Sequence, residues 1–388
     1  MPKGLGTLDE TFSKQIGKSV PDAQIKEPYV DRNGRLSSIA RFPGLRALAW
    51  CGDVLYGSRG YQVVRARIQN SSDNLSWDPV AEFRPALRRR MSARNGLTAR
   101  LFRDGFHALA VLPPSGPATA GLVAAVPGAI VTLRPGETEF RATHTIVRGT
   151  RPLHITAVPS GAIFWGEYFD NKARDEVHIY ASTDAGTSWS VAYTFPKGAI
   201  RHVHNIVHDP WNDCLWVLTG DYGDECRILR ATCDFSRVEA VLRGQQQTRA
   251  VAAIPTEDGL YFSSDTPLEP NYIYRLDRQE ALLQVTPISS SSIYGCRVGD
   301  RVFFSTMVEP SEVNRDRHVR VYGGRARSAD SQAWHPLLAW QKDHWPMALF
   351  QYGNALMPDG NNTTRFLAVT TIAVQSDDLV TSIYAVSP

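Results

Sequence analysis

The densest run of chemistry-bearing residues in this 388-residue sequence is RHVHNIVHD, residues 201 to 209. On a strand, where side chains alternate, His202, His204 and His208 share one face and Arg201 takes the other. Imidazole titrates near neutrality, so such a row suits a general acid or base beside a hydroxyl or a carboxyl-bearing substrate. A zinc site would need further ligands, for which Asp221 or Cys214 is within reach, and His-x-His alone falls short of that set. The sequence therefore calls for no metal and no cofactor.

Arginine is the second recurring type. A guanidinium keeps its charge when partly buried and grips a carboxylate through two parallel hydrogen bonds. Arg201 and Arg249 are expected to open neighbouring strands, with Arg46 and His154 in equivalent places earlier, while Tyr294 opens the next strand with a phenol. Polar residues also follow the apolar bursts, namely Glu167 with Tyr168, then Asp221 and Asp265, and Trp345 stands beside His344 at the last strand start. The expected division of labour gives His202, His204, Tyr294, Glu167 and Asp221 the proton transfers or nucleophilic attack. Arg46, His154, Tyr168, Arg201, Arg249, Asp265 and Trp345 would bind the substrate.

These residues are far apart in sequence, so the fold must gather them. Helical periodicity is scarce and short alternating runs of β-branched and aromatic residues are frequent, which predicts an all-β chain. One unit recurs, a turn with Gly, Asp or Asn followed by an apolar-aromatic burst. It reads DVLYGSRG from Asp53, DGFHALAV from Asp104, GAIFWGEY from Gly161, CLWVLTGD from Cys214, GLYFSSDT from Gly259, RVFFSTMV from Arg301 and NALMPDGN from Asn354. Starts spaced by 42 to 57 residues, with a further strand on either side of each burst, predict a seven-bladed β-propeller. The stretch from 95 to 145 is the least regular, which leaves six or eight blades open. Residues 1–35, polar and weakly periodic, are expected to form an arm or ring-closing segment ahead of a single propeller domain over 36–388.

The totals exclude several classes. With 42 Lys and Arg against 39 Asp and Glu, the net charge of +3 gives no field that implies nucleic acid. RRRMSAR, residues 88 to 94, lacks interleaved aromatics for stacking and reads as a solvated loop. The longest aliphatic stretch, around 121–131, is interrupted by Pro127 and too short to span a bilayer, and the first residues lack a signal-peptide core, so no membrane partner and a cytoplasmic location are expected, or secretion if a signal has been trimmed. Five cysteines without a C-x-x-C pair read as reduced thiols. Absence of P-loop, G-x-G-x-x-G, G-x-S-x-G and H-E-x-x-H patterns disfavours nucleotide-dependent and serine-hydrolase chemistry.

ASTDAGTSW, residues 181 to 189, sets Ser182, Asp184, Gly186 and Trp189 at fixed offsets. It resembles the Asp-box, S-x-D-x-G-x-x-W, of sialidases and related BNR-type propellers, with worn copies at residues 71–73 with Trp77, at 232–234, and at 328–330 with Trp334. Asp can bond its own turn, Gly can take positive φ and Trp can fold back on the hairpin, so the box reads as scaffold between the third and fourth strands of a blade. The resemblance implies arginines holding a sialic acid carboxylate and a late-blade tyrosine nucleophile, here Arg46, Arg201, Arg249 and Tyr294. ARFPGL with Arg41 is similar to the R-I-P signature of that family, with Phe42 in place of Ile. Sialidases have six blades, however, and no glutamate is assigned to Tyr294.

A seven-bladed ring with a His, Tyr and Arg centre is similar instead to uronate-specific polysaccharide lyases, where a base removes the proton next to the uronate carboxylate. The leading expectation is a sialidase-like glycoside hydrolase acting at or next to an acidic sugar, with a uronate lyase as the first alternative. A non-catalytic glycan- or protein-binding propeller, or an intracellular glycosyl-transfer enzyme, completes the set. The expected partner is an acidic oligosaccharide or polysaccharide.

Overall fold

The computed structural model describes residues 36, 38–69, 75–112, 120–326 and 333–386. Their strands form seven separate sheets around one axis, antiparallel apart from one added strand in blade 1, a seven-bladed β-propeller. In blades 2 to 6 four successive strands pair in chain order. Blade 4 shows the pattern: Val203–Asp209 innermost, then Cys214–Thr219, Arg227–Ala231 and Val238–Arg243 outermost.

Burial explains why the bursts read as continuous apolar runs. A second strand has a neighbouring blade on each face, so every residue of Cys214–Thr219 and of Phe366–Ile372 is buried. The outermost strand Arg141–Thr145 has no buried residue and is correspondingly polar. Hydrophobic clusters sit between blades rather than within them: Phe164 and Ile179 of blade 3 meet Ile206 and Val217 of blade 4. The same sandwich joins the last blade to the first, where Phe366 and Ile383 pack with Leu55 and Trp77.

The ring closes through the start of the described chain. Ser38–Pro43 pairs antiparallel with Val380–Ala385 as the outermost strand of blade 7, whose inner strands are Asn354–Leu356 and Phe366–Ile372. The closing strand thus falls just after residue 35, and the expectation for residues 1–35 themselves lies outside the described residues. One strand breaks the regular pattern: Asp359–Asn362, between two strands of blade 7, pairs in parallel with Arg46–Gly52 on the axis side of blade 1, Ala49 opposite Asp359. It occupies the interior of the ring.

Two of the seven bursts are one strand out of step. DGFHALAV contains the innermost strand of blade 2, Ala108–Val111, and the second strand is Leu122–Val126. NALMPDGN likewise begins with the innermost strand of blade 7. Both inner strands are as apolar as second strands for a physical reason. The first neighbours the inserted strand Asp359–Asn362, and the second packs Ala355 into the cluster shared with blade 6. The basic run after blade 1 is helical rather than a loop: Leu87–Ser92 and Gly96–Phe102 form two short helices. The second is pinned by Arg100, 2% exposed, whose guanidinium pairs with Asp343 at 2.8 Å and Asp378 at 2.9 Å.

Residues 182 to 189 make the turn between the third and fourth strands of blade 3, Val177–Ser182 and Ser190–Phe195. Asp184 accepts from the Thr187 and Ser188 amides at 3.0 and 2.9 Å, and Ser182 Oγ donates to it at 2.7 Å. These donors, the Ser188 hydroxyl foremost, hold the Asp184 carboxyl down at about 2. The turn also reaches blade 2, since Thr132 Oγ1 donates to the Gly186 carbonyl at 2.7 Å and Trp189 Nε1 to Thr143 Oγ1 at 3.2 Å. At the worn copy, Thr232 Oγ1 donates to Asp234 at 2.6 Å. The copies at 71–73 and 328–330 lie outside the described residues.

Candidate functional site

Each innermost strand starts on the same face of the disc, and the residues at those starts form the mouth of the axial channel. Arg46 begins the inner strand of blade 1, while His107, His154, His202 and Arg249 stand one or two positions before those of blades 2 to 5. The loops after the second strands return to that face and add Tyr168, Asp221, Asp265 and Glu309. The polar groups do not form one pocket. They divide into two constellations.

The first spans blades 3 to 5. His202 and His204 face each other with their Nε2 atoms 3.0 Å apart, and Asp221 Oδ1 stands 3.6 and 3.5 Å from them. The two rings share a face as residues two apart on an extended chain do, and pairing with the next strand slips between Val203 and Asn205 at the same point. Tyr168 lies against His202 with ring centroids 4.2 Å apart, and burial pushes its phenol up to about 12.

Both arginines of this half are committed to internal carboxylates. Arg201 donates to Asp221 Oδ2 at 2.9 Å and also to Asp170. Arg249 stands between Asp221 at 3.4 Å and Asp265 at 3.6 Å. Burial raises the Asp265 carboxyl to about 7, against the pull of Arg249 and helped by Glu309 and Asp221; burial likewise raises Glu309.

The second constellation is cationic and lies toward blades 1, 2, 3 and 6. Arg46 donates to the His107 carbonyl at 3.0 Å, and Arg151 to the Arg103 carbonyl at 2.7 Å. Among the described residues, Arg46, Arg103 and Arg151 have no carboxylate in ion-pair contact, and Arg46 Nε is buried without a partner. Burial, with Arg46 and Arg103 adding repulsion, lowers Arg151 to about 10. Burial and the charges of Arg151 and Arg46 push His107 well below its usual range. On the far side of these cations, His154 Nδ1 is 2.9 Å from Asp359 Oδ2, and the Tyr294 ring lies 6.4 Å from that of His154. Burial raises the Tyr294 phenol while Arg46 opposes it.

The sequence-derived set is therefore distributed as follows. His202, His204, Asp221, Arg201, Arg249, Tyr168 and Asp265 share the first constellation. Arg46, His154 and Tyr294 share the second, so Tyr294 does not join Arg201 and Arg249. Glu167 belongs to neither: it is buried between Arg148, 3.0 Å from Nε, and the His178 amide at 2.8 Å, in a groove lined by blades 2 and 3. Trp345 is half exposed and lies tilted against Phe350, outside both sets. His208 is at the other end of its strand, 3.9 Å from the exposed Asp213, because four further residues carry it away from His204.

Arg103 and His107 are absent from the sequence-derived set. Arg103 follows the helix Gly96–Phe102 in a left-handed conformation, φ 52°, between Arg100, paired with Asp343 and Asp378, and Asp104, bonded to Tyr61 and Arg89. His107 was legible in principle, since it directly precedes an inner strand, had the burst of blade 2 been read in the correct register.

No protein-family model and no curated protein sequence matches the chain. Among solved structures, it is similar to the WD40 beta propeller domain of Doa1, with 11% identity and TM-score 0.53 over 90% of this chain and 96% of that one. It is similar to a chain of the Mitotic Checkpoint Complex, with 10% identity and TM-score 0.55 over 91% and 95%. A third is puromycin hydrolase S511A mutant complexed with PGG, with 12% identity and TM-score 0.54 over 92% of this chain and 53% of that one. At such identities the likeness shows the propeller fold alone. These structures bring no support for the sialidase or lyase resemblance.

Proposed function

We propose that the cationic half of the channel mouth binds an acidic saccharide, its carboxylate received by Arg46, Arg103 and Arg151. The observation that carries this reading is three clustered guanidiniums with no ion-paired carboxylate among the described residues. Confining like charges with no carboxylate in direct contact, Asp359 acting on Arg46 only through space, is costly, and a bound carboxylate would relieve that cost. Arg201 and Arg249, already neutralised internally, are poor candidates for the same task.

The test is calorimetric titration with an oligogalacturonate, and with a neutral oligosaccharide of equal length as control. Binding of the charged sugar alone is expected, weakened about tenfold or more in Arg46→Met and in Arg151→Met. Equal binding of both sugars, or undiminished binding by both variants, would overturn the reading.

A second reading adds chemistry to this binding. Tyr294 and the His154–Asp359 pair stand beside the arginines, which suits abstraction of the proton next to a neutralised uronate carboxylate and departure of the sugar oxygen across the new double bond. Hydrolysis in this half has less to work with, because a retaining mechanism uses two carboxyl groups about 5 Å apart and Asp359 is already bonded to His154. An ultraviolet-absorbing unsaturated product separates elimination from hydrolysis, and a folded protein that binds without turnover is a pure binder.

A further inference from the structure

We propose that His202, His204 and Asp221 form a site for a divalent transition metal of the zinc class, in the half of the channel that the acidic-saccharide reading does not use. His202 Nδ1 lies 3.1 Å from the Phe169 carbonyl oxygen and His204 Nδ1 lies 2.9 Å from that of Ala250. A carbonyl only accepts, so both Nδ1 atoms carry the hydrogen and each neutral ring presents a bare lone pair at Nε2. Those two lone pairs confront each other at 3.0 Å, and Asp221 Oδ1 completes a triangle at 3.6 and 3.5 Å. Three acceptors directed at one another with no donor among them are repulsive unless a cation lies between them.

The dimensions suit a metal. A point inside that triangle is about 2.0 Å from all three atoms, the usual length of zinc bonds to imidazole nitrogen and carboxylate oxygen. All three side chains are buried. A backbone carbonyl behind each ring is the arrangement that fixes metal-bound histidines in the right tautomer. With three protein ligands, a fourth position remains for water or a ligand oxygen, as in catalytic rather than closed structural zinc sites.

The second grouping of possible ligands, His208, Asp213 and Cys233, lies on the rim with Asp213 almost fully exposed, and serves as a control.

The experiment strips the full-length protein with a chelator and titrates it with Zn²⁺ against a chromophoric competitor, and separately with Co²⁺ followed by its visible absorption. One equivalent is expected to bind, giving the intense bands of a low-coordinate cobalt site and a higher melting temperature. His202→Gln and His204→Gln are each expected to weaken binding about 100-fold, while His208→Ala leaves it unchanged. Melting of the metal-free variants shows that they remain folded, and glutamine keeps the bulk of the ring while moving the donor atom. Failure of the wild-type chain to take up one equivalent would overturn the proposal and leave a proton shared by the two imidazoles as the cation between them. Retention of binding in both glutamine variants would overturn it equally. Neither outcome touches the oligogalacturonate titration, so the two readings fail separately.

Discussion

His154 Nδ1 is held 2.9 Å from Asp359 Oδ2 although 205 positions separate the two residues in sequence. The pair joins the inner edge of blade 3 to the strand that blade 7 lends to blade 1, and it fixes the imidazole beside Tyr294. With Nδ1 donating to the carboxylate, Nε2 of the neutral ring is left as the acceptor. Asp359→Asn is expected to keep the fold and to change oligogalacturonate affinity by about threefold or less, while lowering any elimination rate about 100-fold or more. Ultraviolet absorbance of the product reads the rate, and a variant as fast as the wild type would remove His154 from the chemistry.

Arg151 carries the cost of the cationic cluster most clearly. Its folded-state pKa is lowered to about 10, first by burial and then by Arg46 and Arg103, so the folded state disfavours a charge that it nevertheless retains at neutral pH. Arg151→Met should therefore raise the melting temperature of the ligand-free protein by about 2 °C or more. It should also abolish much of the stabilisation that sulfate gives the wild type. A melting temperature lowered by the substitution would mean that the bond to the Arg103 carbonyl outweighs the repulsion.

Asp265 makes stability depend on pH in a defined direction. Its carboxyl is raised to about 7 from an ordinary 3.8, so in that interval the folded chain holds a proton that the unfolded chain has released. This contribution is fully present below the ordinary value and is lost as pH rises toward 7. Asp265→Asn, which cannot ionise, should melt progressively higher relative to the wild type between pH 5 and pH 8 in scanning fluorimetry. A difference constant across that range would show that Arg249 keeps the carboxylate ionised throughout.

Gly186 is required by its conformation and by its neighbour. Its φ is +79°, and an added Cβ would stand 2.6 Å from Val123 Cγ2 and 2.9 Å from Thr132 Oγ1 of blade 2. Gly186→Ala is expected to destabilise the protein by about 1–3 kcal/mol in urea unfolding, without altering sugar or metal binding. A loss of ligand affinity at unchanged stability would instead make this turn part of a site.

The turn at residues 182–189 was legible because it is local: its hydroxyl, carboxylate and glycine act on backbone within four positions. The blade count was legible from the repeated bursts for a related reason, since a second strand between two blades must be apolar throughout. Register in blades 2 and 7 was not, because their inner strands are also covered on both sides and apolarity no longer distinguishes the two. Among the candidate residues, His202, His204 and Asp221 were readable as polar positions at strand ends. That Asp221, on the loop after the next strand, closes a triangle with both imidazoles leaves no mark in the order of side chains.

By itself, the amino-acid order determined an all-β repeat, its turn chemistry, and which strand ends carry arginine, histidine, tyrosine and carboxylate. Tertiary structure alone decided which of these meet. Closure of the ring brings residues hundreds of positions apart to one axis. The angular position of each blade then assigns Tyr294 to Arg46 and His154, and Arg201 and Arg249 to Asp221. Asp359 reaches the axis only because a segment of the last blade crosses to pair with the first. Periodicity reports how deeply a side chain is buried, whereas its partner is set by the rotation between blades, a quantity no local pattern encodes.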